Sequence, residues 1–481
     1  MPPSLNNKDA REEPYKRYFA KTALLPTGWA ENVLIAVDAA GYITKISLNE
    51  DCSEATDLKG PVLPGMLNLH SHAFQRAMAG LTERATANKD SFWTWRELMY
   101  QFLEQLTPDD LQIIAAQVYA EMLKAGFTTV GEFHYVHHQP DGKPYQERAL
   151  TSHHIIRAAK ETGIAITHLP VLYSYSGFGG QAPTAGQKRF INDEAQILDM
   201  IATLTRAYKN DPQVTIGLAH HSLRALTPER LQAATAAMQS LNPLAPIHIH
   251  IAEQTKEVDD CLLWSKQRPV EWLLNHVEIN KNWCLVHATH MTEIETENLA
   301  RSGAVAGLCP TTEANLGDGL FNLPEYLSAQ GCWGIGTDSN VSVSMIEELR
   351  TLEYGQRLLR RERAITKTAS QPSVGATLYT MALRGGAQAL GRLAGQIEVG
   401  KRADFIALNP QIPSLLSKTG NLILDAMVFA GNLNPIRHVI AGGQHVVQDC
   451  KHISEDKLLP AYIKTIKKLC PSEAKIKGKS P

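Results

Sequence analysis

Residues 63–75 read LPGMLNLHSHAFQ. An apolar run closes on the turn-forming pair Pro64-Gly65, passes through Asn68-Leu69 and ends in two histidines, His70 and His72, one residue apart. Side chains alternate across a strand, so both imidazoles point the same way and can grip one metal ion. Taken alone, a His-x-His at a strand end is more often a pair of surface or capping histidines. The rest of the chain has to decide between the two readings.

Outward from this stretch, apolar β-rich runs alternate with amphipathic helical stretches, the rhythm of a parallel α/β fold. Strands are predicted over 62–69, 128–135, 164–173, 214–221, 247–253, 283–290, 305–310 and 334–338. Eight such runs make a (β/α)8 TIM barrel the economical α/β architecture. Helix starts fall between them. Thr107-Pro108 precedes the stripe Leu111, Ile114, Ala115, Val118 and Met122, which Gly126 ends. Thr227-Pro228 opens a second helix, and Thr292 with Glu295 spells a capping box for a third.

Both ends of the chain read differently. Residues 18–58 hold short alternating segments with a hairpin break at Ala40-Gly41, and 395–409 and 436–447 are strand-like with glycine turns. Neither end can close a core alone, so a small composite β domain is expected from 1–61 and 395–450. The barrel then occupies 62–394, and 451–481 forms a lysine-rich solvated tail, in part a surface helix.

A chain of 481 residues accommodates a barrel and a small domain, and 44% hydrophobic with 20% charged residues is a globular balance. With 47 basic against 49 acidic residues, nucleic acid and anionic membrane have no electrostatic case as partners. The start of the chain lacks an apolar signal core, and no window reaches the length of a membrane span. Seven cysteines stand apart without a C-x-x-C pair, which suits a reducing cytoplasm.

The active site of a barrel lies at the C-terminal ends of its strands, and histidines crowd five of the eight predicted here. Three neutral imidazoles and a carboxylate suit Zn2+, with one coordination position left for water. His70, His72, His250 and Asp338 are the expected ligands; iron or another divalent ion fits the same set. His248 shares a face with His250 and reads equally as a hydrogen-bonded core histidine. Glu253, three residues past His250, can carry a proton between that water and a leaving group, although a glutamate there also suits a helix start. His287 can orient the water from the opposite side, and Asp338 is expected to be catalytic as well as a ligand, holding the water with His287 while Glu253 takes its proton. His290 reads as a residue leading into a helix.

The segments PGMLNLHSH, HIHIAE, LVHATH, GTDSN, GQIEVGKRADFIALN and NPIRHVIAGG, in this order, resemble the amidohydrolase superfamily in its cytosine, guanine and chlorotriazine deaminase-like branch. The resemblance covers nearly the whole chain. It implies a barrel with a composite β domain, one divalent metal per subunit, water attacking a C–N or C–halogen carbon, and a homodimer. HAFQRAMAGL, SFWTWRELMY, GEFHYVHH, AHHSLRAL and GTDSNVSVS narrow it to deiminases acting on a formimidoyl group carried by a dicarboxylic amino acid. A purine, pterin or other amidine is the alternative substrate.

A dicarboxylate needs fixed cations, for which arginine's planar fork is better than lysine. Arg96 and Arg224 are placed to supply them. By resemblance Gln75, Tyr135 and His221 complete the substrate pocket. Arg96 also reads as half of a surface salt bridge with Glu97, and Trp93 and Trp95 as loop packing. Asn340 departs from the serine-histidine pair expected after Asp338, which puts a substrate contact there in doubt.

Overall fold

The structure, a computed structural model, describes residues 16–81, 83 and 92–469, so Cys470, Lys475, Lys477 and Lys479 of the basic C-terminus lie outside the described residues, as does the side chain of Trp93. The described strands are, in chain order, β1 (Lys16–Leu25), β2 (Gly28–Val37), β3 (Ile43–Ser47), β4 (Thr56–Asp57), β5 (Pro61–Pro64), β6 (Met66–Ser71), β7 (Phe127–His134), β8 (Ala165–Leu172) and β9 (Val214–Ile216). There follow β10 (Leu218–Ser222), β11 (Ile247–Ile251), β12 (Trp283–His287), β13 (Val305–Leu308), β14 (Cys332–Ile335), β15 (Phe405–Leu408), β16 (Ile436–Ala441), β17 (Gln444–Gln448) and β18 (Lys451–His452).

One sheet runs β18-β17-β16-β15-β5-β1-β2-β3, with β4 beside β1, and so joins both chain ends. β5 is the joint: it pairs parallel with β1 and antiparallel with β15. Tyr18, Val33, Ile35, Val62, Phe405 and Ile440 form its buried core, where neither terminal segment would have enough apolar surface by itself. The β2–β3 turn falls at Gly41, as expected from Ala40-Gly41. There φ is +86°, and a Cβ would lie 2.5 Å from the carbonyl oxygen of Gly442 in the other terminal segment.

The second sheet runs β14-β13-β12-β11-β10-β8-β7-β6, all parallel, with β9 beside β8. Strands β6, β7, β8, β11 and β12 are buried at every position, as strands between a packed interior and a ring of helices must be. The barrel closes where Ser71 bridges Asp338. His72 N–H donates to Asp338 O and Asp338 N–H to His70 O, both at 2.9 Å.

Three expectations change. The run at 62–69 is two strands in two sheets, because Pro64 has no N–H to continue a ladder. Its carbonyl instead accepts from the Tyr379 hydroxyl, and Gly65 fits against Thr128, which a Cβ would strike at 2.3 Å. The barrel therefore begins at Met66. The run at 214–221 divides at Gly217. The stretch after 450 is not free in solvent as far as residue 469: β18 extends the terminal sheet, and the helix Glu455–Leu469 buries Leu458, Thr465 and Leu469. Its Lys468 pairs with Asp110 at 2.6 Å, on the helix Pro108–Lys124 that packs beneath it. The Thr107 and Thr292 caps form as expected, whereas Thr227 precedes the helix Pro228–Leu241 without a side-chain cap bond. No helix among the described residues is long and apolar enough to cross a membrane.

Candidate active site

His70 and His72, at the end of β6, reach the barrel axis with His250 from β11 and Asp338 from the segment after β14. His72 Nδ1 donates to Phe133 O at 2.9 Å and His250 Nδ1 to His221 O at 3.0 Å. A carbonyl can only accept, so both Nδ1 atoms carry hydrogen and both Nε2 atoms turn lone pairs inward. His250 Nε2 lies 3.0 Å from His70 Nε2. Asp338 Oδ1 lies 3.4 Å from His70 Nε2 and 3.3 Å from His72 Nε2. One ligand atom from each of the four falls within 4.8 Å of the others, all buried.

Burial lowers the pKa of all three histidines, to about 3 for His70, and so favours neutral imidazoles. Burial acts against ionising Asp338 too, but its hydrogen bond to His70 and the surrounding imidazoles hold its pKa far below the usual carboxylate range. Neutral imidazoles and an ionised carboxylate, converging in a buried space, are a donor set that fits a divalent cation.

Glu253 follows Ala252, whose φ is +50°, and that left-handed step turns the carboxylate back towards the barrel axis. His287 and Asp338 also have positive φ, +69° and +48°. Non-glycine residues in this region cost of order 1–3 kcal/mol each, a strain usually found where side-chain placement matters. Glu253 Oε1 lies 3.7 Å from His287 Nε2, whose other neighbour is Asp338 Oδ2 at 3.8 Å. Burial raises the Glu253 pKa above its ordinary range, only partly opposed by His287. For His287, burial is outweighed by Glu253, Glu313 and Asp338, which raise its pKa to about 10.

Gln75, Arg96, Tyr135, His221 and Arg224 all line the cavity above this centre, with Trp95 and Tyr173 among its walls. Gln75 Nε2 donates to the Tyr135 hydroxyl at 2.9 Å. The Arg96 guanidinium lies over the Tyr100 ring, 5.6 Å from its centroid, and lines the cavity. Arg224 is buried, with Nε 3.9 Å from Glu257 Oε2.

His248 is a core histidine, donating from Nε2 to Ala389 O at 2.8 Å. That carbonyl can only accept, which fixes the direction of the bond. His290 lies just ahead of the helix Glu293–Ser302, with Nε2 2.8 Å from Asp318 O. Asn340 is a staple at the barrel seam: its Nδ2 donates to Ser71 Oγ, His72 O and Asp338 O at 3.1–3.2 Å.

Glu313 went unremarked in the sequence. Its Oε1 accepts from His287 Nδ1 at 3.2 Å and from the Cys309 amide at 2.9 Å. The available signal was its place in the helix Pro310–Leu316 directly after a barrel strand, where an acid reads as ordinary N-terminal chemistry.

The amidohydrolase family pattern matches residues 62–446, and the pattern described as formimidoylglutamate deiminase HutF, N-terminal domain, matches residues 17–54. The formimidoylglutamate deiminase of Pseudomonas aeruginosa is 50% identical over 451 residues, 94% of this chain and 99% of its own length. The crystal structure of an amidohydrolase from Brucella melitensis superimposes with a TM-score of 0.89 at 43% identity, over 94% of this chain and 99% of that one. An adenosine deaminase from Xanthomonas campestris with bound zinc shares the fold at 20% identity, with a TM-score of 0.79 over 95% of this chain and 99% of its own.

Proposed function

The chain belongs to the amidohydrolase family, and from that premise we propose that it hydrolyses N-formimidoyl-L-glutamate to N-formyl-L-glutamate and ammonia, a step of histidine degradation. Arg96 and Arg224 carry this reading: two guanidinium groups line the same cavity as Glu253 and the His/Asp centre. A substrate with two carboxylates beside an amidine uses all of them. The 50% identity to the Pseudomonas aeruginosa deiminase supports the same assignment.

The residues proposed to hold one divalent ion, zinc by preference and iron as the alternative, are His70, His72, His250 and Asp338. When bound, the ion acidifies a water and polarises the carbon under attack. Glu253 takes a proton from the attacking water and delivers it to the leaving nitrogen, a task suited to a carboxylate whose pKa burial has raised. His287, held at Nδ1 by Glu313, directs Nε2 at the charge that develops on the attacked carbon's oxygen. Arg96 and Arg224 fix the two carboxylates, while Gln75, Tyr135 and His221 align the formimidoyl group. The aromatic walls keep bulk water out, which strengthens each of these charge interactions.

A purine or pterin deaminase is the second reading, but an uncharged ring gives the arginines no counterpart. Ammonia release from N-formimidoyl-L-glutamate, set against a panel of purines and pterins, tests the choice, and silence on the former would overturn it. A homodimer in the cytoplasm completes the proposal. The free state of all six described cysteines suits that reducing compartment.

A further inference from the structure

Asp338 faces two ways. Its Oδ1 lies against His70 and His72, while Oδ2 turns to His287 Nε2 at 3.8 Å. Cys309, just past the end of β13, stands close to both Asp338 and His287. A ring nitrogen of His287, the Cys309 sulfur and a carboxylate oxygen of Asp338 all lie within 4.8 Å of one another, fully buried. The proposed reaction leaves Cys309 without a role.

We propose that His287, Cys309 and Asp338 form a second, inhibitory position for a thiophilic divalent cation, adjoining the His70, His72, His250 and Asp338 centre and bridged to it by the Asp338 carboxylate. Imidazole, thiolate and carboxylate together are a donor set for zinc or a softer ion such as cadmium, and a poor one for magnesium or calcium. Coordination breaks the Cys309 S–H bond and the N–H bond of the His287 imidazolium, releases both protons to solvent and places an electron pair from each atom on the ion. Glu253 Oε1, 3.7 Å from His287 Nε2, stands where a further ligand would come from. The approach is from the catalytic cavity, whose lining includes His287, Asp338 and Glu253. An ion there takes His287 out of the reaction, so it inhibits without displacing the ion at the first position.

The inference goes beyond the proposed reaction, and one of its readouts is independent of it. Cd2+ is titrated into the zinc-loaded protein while ammonia release, bound zinc and the sulfur-to-cadmium charge-transfer absorption are followed together. The expected result is inhibition with zinc retained and a charge-transfer band that grows alongside it. Cys309→Ser, close in volume and a weak ligand for cadmium, should raise the inhibitory midpoint at least tenfold and remove part of the band, with turnover in the absence of cadmium unchanged. Cys52→Ser and Cys450→Ser, at exposed thiols, should lower the band and leave the inhibition unchanged. Inhibition and band in Cys309→Ser equal to those of the parent protein would overturn the site, as would inhibition that follows zinc release or no inhibition at all. Cys309→Ala is the second variant should the serine disturb folding. The band reads the site even if the substrate assignment fails.

Discussion

Ala252 bends the chain so that Glu253 reaches the centre of the barrel end, and the side chain there is buried beside His287. Glu253→Gln keeps the volume and removes the base. Turnover should fall by about 10²–10⁴-fold, the usual contribution of a positioned acid–base group, while bound metal is unchanged. Less than a tenfold fall would remove Glu253 from the shuttle role. The pH dependence follows from the same burial: Glu253 acts as a base only when ionised, and its pKa is raised. The rate should therefore decline with falling pH through a point above the ordinary glutamate value of about 4.3, and a profile with kcat/KM flat down to that value would refute it. At this scale the sequence is readable where a period decides the geometry. His70 and His72 share a face because strands alternate, and His250 follows the same rule. Glu313 was not readable, since its partner His287 comes from another strand and no spacing links them.

Among elements, the seam between β6 and the segment after β14 carries most of the site. Asn340 reaches across it to Ser71, His72 and Asp338 and is fully buried. Asn340→Ala would remove all three bonds, but Asp338 O keeps the His72 amide and His72 O keeps the Gln75 amide, so the cost is about 1–3 kcal/mol in total and a fall of a few degrees in Tm is expected. The residues it holds bear proposed metal ligands, and such supporting contacts are worth about 10–100-fold in metal affinity. Titrating zinc into the stripped variant checks this, and affinity equal to the parent's would make Asn340 a stability residue only. The eight barrel runs were legible because parallel strands buried on both faces are apolar throughout. The division at Pro64-Gly65 was not, since a turn within a strand and a jump between sheets give the same letters. The helix Glu455–Leu469 was half hidden: Leu458, Thr465 and Leu469 lie on one face, but Lys464, Lys467 and Lys468 between them give the composition of a solvated tail.

In the whole molecule, the barrel closes between its first strand and the segment after its last, and the proposed ion lies across that closure. His70 and His72 stand on one side, Asp338 on the other, and His250 opposite. Such a site exists only when the barrel is shut, so ion binding is linked to folding. A ligand present at a thousand times its Kd stabilises the folded state by about 4 kcal/mol, comparable with a large part of the net stability of an ordinary domain. Chelation should therefore lower Tm, and added Zn2+ should restore it. The loss should also have an address. The amides of His72 and Asp338, whose bonds to Asp338 O and His70 O form the seam, should exchange with solvent faster in the stripped protein. Those of β1 and β2, in the sheet built from the chain ends, should change little. An unchanged Tm would mean that the seam holds through Asn340 and the backbone alone. A fall in Tm with uniform exchange would mean that the ion stabilises the molecule without clamping the closure.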